Sequence, residues 1–393
     1  MGDVESSMAV YQQAEQKAEG DEQLCDAWMG LAAYMRVKTH YEEGLVLLEK
    51  AEPVATHHHL TSRLSRLHHL RGNLCFSLGR AEECRREHLL ALEFAEQSES
   101  AEDEARALGG LGDAEYVRGR MQTARDHYTR CVELARQHGF GRIEVAHVGQ
   151  RGWTRLYTGD WRGAKSDGLA AVNLAIKVGD RRAEMNGSLC AGDCAFELGE
   201  YDLAETYAAR ALTLAQTLGA RAWEPQALTV KASVKLLNGQ QHEARDLLTH
   251  ALAITGETGR AFQAARVLGT LAWAVKGDDV AREAALDEGE KILREGVVSH
   301  NYFWFYRCAM EALIHVNDWD RVERYASALE DYTREEPLAW TDFFIARGRA
   351  LATFGRGKRD DATVQEIQRL RDEAKRLELK VAISALEEAL SLI

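Results

Sequence analysis

The chain has 393 residues, too many for one ordinary globular core, so two or three domains or one elongated repeat array are expected. Proline is scarce, with 3 residues, while Ala, Leu, Glu and Arg abound, which predicts a mostly helical chain and excludes a strand-rich fold. The formal net charge is −13, with acidic and basic residues interspersed. A nucleic-acid-binding body is excluded, because it needs a basic stripe to neutralise phosphates.

Targeting signals and disulfides are not expected either. No apolar run reaches the roughly 18 residues of a membrane helix, and the N-terminus MGDVESSMAVYQQAEQ lacks the basic and apolar regions of a signal peptide. Seven cysteines, an odd number without paired spacing, are typical of reduced thiols. We therefore expect a cytoplasmic protein that binds neither membrane nor nucleic acid.

Glycines recur along the chain with a period of 40 residues. Two interleaved series follow this period, and they comprise Gly79, Gly119, Gly159, Gly199 and Gly239 in the first and Gly139, Gly179, Gly219 and Gly259 in the second. A strict period of this length predicts stacked structural repeats.

Small residues flank each glycine of the first series at constant offsets. Seven residues before the turn they include Gly72, Gly112 and Gly152, and five, twelve and sixteen after it they include Ala124, Cys131 and Ala135. Offsets of 5, 12 and 16 share one face of a helix, and small side chains there let a neighbouring helix approach closely. Each repeat is thus predicted as helix A, a short turn and helix B, with the second glycine series ending helix B.

The pattern resembles the tetratricopeptide repeat (TPR), with Trp28, Leu31 and Ala32 in one repeat. The Leu111-Gly112 pair with Ala124, Tyr128 and Cys131 matches in another. The period is 40 rather than 34, and the usual proline at the repeat end is missing. Among such arrays the chain is similar to the C-terminal arrays of bacterial LuxR-type ATP-dependent activators and class III cyclases. The resemblance implies an all-α, right-handed α-α superhelix of about nine helix pairs, serving as the sensory or docking part of such a protein or as a stand-alone relative.

The first repeat departs from the consensus. Its turn, Thr39-His40-Tyr41, lacks glycine, and Pro53 is expected to kink or shorten the following helix. The run from His57 to His59 is interpreted as a loop.

The repeat phase changes near residue 277. The turn at Gly277 arrives after 38 residues, and turns at Asn317 and Gly357 then restore the 40-residue step. We predict regular TPR-like repeats over 1–276 and diverged repeats over 277–393, continuous with the first part. Thr363 to Ile393 is predicted as a closing helix pair or cap.

By analogy with TPR arrays, the positions two, six, ten and thirteen before each turn should line a concave groove. In the first part the candidate binding residues there are Asn73, Asp113, Tyr116, Trp153 and Asp193. The His69 and Asn73 pair resembles a carboxylate clamp of chaperone-binding repeats, but the next two repeats lack matching residues, so this clamp is rejected.

The densest candidate binding site lies in HNYFWFYRCAME and PLAWTDFFIARGRA. Trp304 and Phe344 are 40 residues apart, as are Arg307 and Arg347, and all four fall at groove offsets. Two aromatic rings and two guanidinium groups could hold an acidic or sugar-like ligand or a peptide carboxylate. In the alternative interpretation, which we favour, the aromatic residues fill the inter-helix core and the arginines pair with Glu311 and Asp342.

Metal and catalytic sites are not predicted. Three consecutive histidines cannot all face one ion from a helix, and Cys190 and Cys194 lack a second ligand pair, so a solvated loop and buried thiols are expected. No phosphate-binding loop and no nucleophile-base pair is present. Asp113 and Asp193 are two repeats apart, too far for a carboxylate dyad.

The sequence therefore predicts a non-catalytic protein-interaction or regulatory module that needs no cofactor and binds a protein or peptide segment in its groove. Two alternatives remain: a small-molecule-sensing domain of a bacterial transcription regulator or signalling enzyme, and a self-associating scaffold.

Overall fold

The computed structural model describes residues 4–38 and 40–393, and within them every regular element is a helix. None of the helices in these residues is both long and apolar enough to cross a membrane. Packing divides the chain into two compact units, residues 1–147 and 148–393, which we call unit 1 and unit 2. The boundary falls inside one helix, whereas the predicted change of repeat regularity at residue 276 lies within unit 2.

Unit 1 consists of consecutive antiparallel helices, each packed on the next. Their bounds are α1 Val4–Lys17, α2 Asp21–Val37, α3 Tyr41–His57, α4 Thr61–Ser77, α5 Ala81–Gln97, α6 Ala101–Val117, α7 Met121–His138 and the first part of α8 Gly141–Tyr157. The even-numbered helices are the predicted A helices and the odd-numbered ones the B helices.

Unit 2 continues the same alternation from the second part of α8. Its helices are α9 Trp161–Val178, α10 Arg181–Glu197, α11 Tyr201–Thr217, α12 Glu224–Leu237, α13 Gln241–Thr258, α14 Ala264–Ala274, α15 Asp279–Glu295, α16 His300–Ile314, α17 Trp319–Thr333, α18 Ala339–Gly355, α19 Asp361–Arg376 and α20 Lys380–Ser391, with a short 3-10 turn at Arg221–Trp223 before α12. The pairs from α2/α3 to α18/α19 match the nine predicted turns. The closing segment forms α19, the B helix of the ninth pair, and α20, an additional helix that packs on α18 and α19.

The glycine periodicity has two physical causes in the structure. Turn glycines such as Gly119 take a positive φ of 82°, a left-handed conformation that glycine adopts without a steric penalty. Gly112 inside α6 has another role, because a Cβ atom there would come within 2.5 Å of the Tyr128 ring in α7. The predicted small-residue stripe of the B helices is also confirmed, since Ala135 and its equivalents are buried.

The first repeat was expected to have a turn without glycine, a helix disturbed by Pro53 and a loop of histidines. Thr39, in the first predicted turn, lies outside the described residues. Pro53 does not shorten its helix, since α3 runs on to His57 with Ala51 and Ala55 buried on either side of the proline. The histidine loop is smaller than expected: His57 ends α3, and only the next two residues form the turn.

Candidate functional site

The groove positions of the TPR pattern lie on one face of the A helices, which we call the A-helix face. It comprises the residues two, six, ten and thirteen before each turn. In unit 1 this face is accessible: Asn73 and Asp113 are half-buried, and Arg66 retains 57% of its side-chain exposure. The candidate residue Tyr116 lies beside the face, three residues before its turn, and is also half-buried. The candidate residues of the first repeats are therefore open to a partner.

Short polar contacts order the side chains of this face in unit 1. Asn73 Nδ2 lies 3.0 Å from His69 Nε2, one helical turn away. The Tyr128 hydroxyl donates a 2.6 Å hydrogen bond to Asp113 Oδ1. Burial, followed by this carboxylate, raises the pKa of the Tyr128 phenol well above its ordinary value. Arg66 pairs with the buried Asp103 at 3.0 Å. The face thus carries fixed groups of both charges and an amide.

In unit 2 the equivalent face is closed by its own side chains. The Trp304 indole Nε1 donates a 2.9 Å hydrogen bond to the Tyr157 hydroxyl, which joins α16 to the end of α8. The Trp340 ring of α18 packs 5.1 Å from Trp304 and 5.8 Å from Tyr157, measured between ring centroids. Residues at least 147 positions apart in the sequence therefore contact each other here.

A buried ion pair crosses the same interior. Asp193 of α10 accepts hydrogen bonds from both terminal nitrogens of Arg266 in α14, one of them 3.1 Å long. Gln226 adds a 3.0 Å hydrogen bond to the carboxylate. The Arg266 guanidinium also lies 4.3 Å above the Trp304 ring. Both charges are almost fully buried, and these additional contacts offset part of the cost of removing them from water.

The two arginines predicted as ligand contacts differ in their hydrogen bonding. Arg347 donates to Glu311 over 2.7 Å and 3.3 Å and to the backbone oxygen of Ala382 over 2.8 Å, so its guanidinium is well satisfied. Arg307 Nη2 lies 3.2 Å from Glu197, but the two groups are not aligned for a hydrogen bond, and the Arg307 atoms Nε and Nη2 have no hydrogen-bond partner. Burial raises the pKa of the Glu197 carboxyl, against the opposing effect of Arg307. Arg307 is thus a buried cation with unsatisfied donors.

The predicted C-terminal cluster is a buried part of unit 2 rather than an open surface. Trp304, Arg307, Glu311, Phe344 and Arg347 are between 1% and 4% exposed, and Asp193 and Trp153 are buried as well. The alternative interpretation paired Arg307 and Arg347 with Glu311 and Asp342. In the structure Glu311 pairs with Arg347, and Arg307 faces Glu197. Whether these residues contact a ligand stays a prediction.

Sequence reasoning missed Arg266 and Trp340 in this cluster. Arg266 lies eleven residues before the Gly277 turn, off the groove offsets, because the repeat there is two residues short. The signal that could have identified it is the lone arginine in the otherwise apolar stretch AARVLGTLAWA.

The histidines and cysteines have structural roles where their contacts are described. His58 lies 3.1 Å from Asp21 at the surface. All seven cysteines are buried, including Cys190 and Cys194, for which burial was predicted. Within residues 4–38 and 40–393, no group of three or more His, Cys, Asp or Glu side chains is placed to hold a metal ion.

The fold and the A-helix face together define a helical-repeat protein of the TPR class. The family model described as "MalT-like TPR region" matches residues 65–370, most of the chain. The chain belongs to this family, which confirms its resemblance to the arrays of LuxR-type activators. No curated protein matches the sequence.

Solved structures share the fold at low sequence identity. NprR in complex with its cognate peptide NprX has a TM-score of 0.65 and 12% identity, covering 91% of this chain and all of that one. A Rap protein complexed with Competence and Sporulation Factor has a TM-score of 0.59 and 14% identity, with 95% and 97% coverage. Aspartyl phosphate phosphatase F from Bacillus subtilis has a TM-score of 0.57 and 12% identity, with 84% and 89% coverage. At this identity the similarity establishes the TPR-like solenoid fold alone.

Proposed function

We propose that the chain is a non-catalytic recognition module that binds a segment of a protein or peptide along the A-helix face of unit 1. The observation that carries the proposal is the difference in access between equivalent positions. Six residues before the turn, Asn73 and Asp113 of unit 1 are half-buried, whereas Asp193 and Glu311 of unit 2 are buried. Polar side chains that recur once in each repeat on an accessible face can bind the regularly spaced polar groups of an extended peptide segment.

The chemistry of the face supports a segment with both polar and apolar side chains. Arg66 and Arg106 present partly exposed guanidinium groups 40 residues apart, and Asn73 presents an amide that can bond a peptide backbone. Phe76, 44% exposed at the end of α4, adds an apolar contact. The same fold holds the peptide NprX in NprR, which supports a peptide as the ligand class.

A display library of random peptides selected on the wild-type protein tests the proposal. Replacing Arg66 and Arg106 together by glutamine is expected to weaken the selected peptides about tenfold, because a hydrogen bond to a charged group contributes about 1.5 kcal/mol or more. The matched control replaces Arg85 and Arg130 of the B helices, whose side chains are 40% and 57% exposed against 43% and 57% for Arg106 and Arg66. Equal losses in the two double variants, with unchanged helical circular dichroism, would contradict the proposal.

A second candidate function is sensing of a small anionic molecule by unit 2, and Arg307 favours it. A fully buried guanidinium with two unpartnered nitrogens is costly in a native fold, and such groups concentrate at functional sites. Trp304 and Phe344, whose ring centroids lie 5.4 Å and 4.9 Å from the Arg307 guanidinium, would add the aromatic ligand contacts predicted from the sequence.

Thermal denaturation with a library of metabolite anions tests this candidate, since a ligand of the folded state raises stability as RT ln(1 + [L]/Kd). We expect stabilisation of the wild type that is lost in Arg307→Gln and kept in Arg245→Gln, a surface control. A ligand that stabilises the Arg307 variant as strongly as the wild type would argue against the assignment.

A further inference from the structure

A cleft of about 260 Å³ lies in unit 2, away from the A-helix contacts described above. It is bounded by the ends of α16 and α18, the start of α17 and the last helix, α20. Its lining combines apolar and aromatic side chains with polar groups, among them two charged side chains. The principal lining residues are Ile314, Trp319, Leu351, Phe354, Arg359 and Glu388.

The local sequence explains why the cleft forms at this repeat. The turn between helices A and B spans residues 356–360, whereas the corresponding turns at 78–80, 118–120 and 198–200 have only three residues. The longer turn carries Arg359 back over the end of α18, where its guanidinium lies 4.6 Å from the centroid of the Phe354 ring. On the other side Gly355 lets the Trp319 indole pack directly against the backbone of α18, because a Cβ atom there would overlap the ring.

The two charges of the cleft are not paired with each other or with another described side chain. Arg359 makes one long hydrogen bond, 3.4 Å, to the backbone oxygen of Leu392, and neither Arg359 nor Glu388 lies within 4.0 Å of an opposite charge among the described residues. Nearby charges behave differently: Lys375 lies 2.7 Å from Glu387, the residue before Glu388. A cation and an anion without an ion-pair partner therefore line the same cleft as the aromatic and aliphatic side chains.

We propose that this cleft is a binding site for a free α-amino acid with an apolar side chain, such as leucine. Arg359 would take the α-carboxylate, Glu388 the α-ammonium group, and the wall formed by Trp319, Leu351 and Phe354 the side chain. Guanidinium and carboxylate groups match these two charges by charge-assisted hydrogen bonds. The site is independent of the function proposed for unit 1.

The size of the cleft sets the ligand class. Pockets for drug-sized ligands measure roughly 300–1,000 Å³, so a cleft of about 260 Å³ suits a smaller molecule. A simple carboxylate would leave Glu388 unpaired beside the ligand, and a simple amine would leave Arg359 unpaired. A molecule that carries both charges next to an apolar group matches all three parts of the cleft.

Ligand-observed NMR titrations with four probes test the proposal on the full chain. The probes are L-leucine, 4-methylpentanoate, which lacks the ammonium group, 3-methylbutylamine, which lacks the carboxylate, and glycine, which lacks the side chain. Leucine is expected to bind the wild type most tightly of the four. Arg359→Gln should weaken leucine and 4-methylpentanoate about tenfold and leave the amine unchanged, and Glu388→Gln should weaken leucine and the amine but not the carboxylate.

Matched controls are Glu387→Gln on the same helix and Arg376→Gln on α19, neither of which lines the cleft. Both should keep the wild-type affinity for leucine. The exposed positions of Arg359 and Glu388 mean that their glutamine variants should fold, which circular dichroism checks. The proposal is overturned if leucine, isoleucine, methionine and phenylalanine show no saturable binding to the wild type at millimolar concentrations, or if both cleft variants bind leucine as tightly as the controls do.

Discussion

His88 of α5 occupies the position that Tyr128 occupies in α7, one repeat later. It is fully buried, and its imidazole ring packs against the backbone of Gly72 in α4 and Gly110 in α6. Neither ring nitrogen has a hydrogen-bond partner. A buried ring without partners is best accommodated in its neutral form, so protonation of His88 should favour opening of this part of unit 1.

The expected magnitude follows from the pKa shift. Burial, as the largest cause, lowers the pKa of His88 from 6.5 to about 4, against the opposing effect of Glu87 and with a small contribution from His147. Because the folded pKa lies below the unfolded one, the stability is fully present above pH 6.5 and is lost as the pH falls towards 4. A shift of about 2.5 units corresponds to roughly 3 kcal/mol in total, of which about 2 kcal/mol is lost by pH 5.

Replacing His88 by phenylalanine should remove this pH dependence, because phenylalanine has no group that can be protonated. A six-membered ring is accommodated at the equivalent position of the next repeat, where Tyr128 is buried. In a repeat array the helices open locally, so hydrogen exchange of α5 amides is the suitable assay. Between pH 7 and pH 5 the opening constant of the wild type should increase about 20-fold more than that of the variant. The Tyr128→Phe variant, which changes the same position without an imidazole, should follow the wild type. Equal changes in the wild type and the His88 variant would refute the reasoning.

Four further substitutions have expected effects on urea unfolding. Gly112→Ala should destabilise the fold, because the added Cβ would meet a tyrosine ring at 2.5 Å. The control Gly149→Ala, whose added Cβ has its nearest contact at 3.5 Å, should be neutral or stabilising by up to about 1 kcal/mol. Equal effects of the two substitutions would be inconsistent with the packing. Arg347→Met should cost about 3–5 kcal/mol, because it leaves Glu311 buried without its cation; a loss below about 1 kcal/mol would contradict this pairing. Glu99→Gly should stabilise by roughly 1 kcal/mol, because Glu99 holds a φ of 51° that glycine adopts freely; an unchanged midpoint would argue against strain there.

Most of the repeat fold was predictable from the sequence, because each turn depends on local chemistry. Gly119 and its equivalents mark the turns, and the small residues at fixed offsets mark where helices touch. Even the exceptions keep the period: His59 and Glu99 have a positive φ at lattice positions that later repeats fill with glycine. The turn is therefore set by its position in the repeat, and the glycine only lowers its cost.

The closure of unit 2 was not predictable in the same way. The pairs Asp193–Arg266 and Tyr157–Trp304 join residues 73 and 147 positions apart, and their meeting depends on the small rotation from each repeat to the next. A sequence period reports the length of a repeat but not this rotation. The offsets therefore identified Trp304 and Arg307 as residues of the A-helix face, yet could not reveal that this face is covered in unit 2.

Positions 307 and 347 are equivalent in the repeat, but the two arginines there differ in their hydrogen bonds. Both arginines lie ten residues before a turn and both are buried, so the repeat places their backbones alike. Their hydrogen bonds differ because the carboxylate opposite each belongs to another element: Glu311 is one repeat before Arg347, while Glu197 reaches Arg307 from α10. A satisfied pair holds adjacent repeats together, whereas an unsatisfied one lets a ligand compete for the arginine at little cost in hydrogen bonds. Arg307 is therefore a functional candidate because two of its guanidinium nitrogens lack hydrogen-bond partners, whereas Arg347, whose guanidinium is fully hydrogen-bonded, is a structural residue. Their positions in the repeat do not distinguish them.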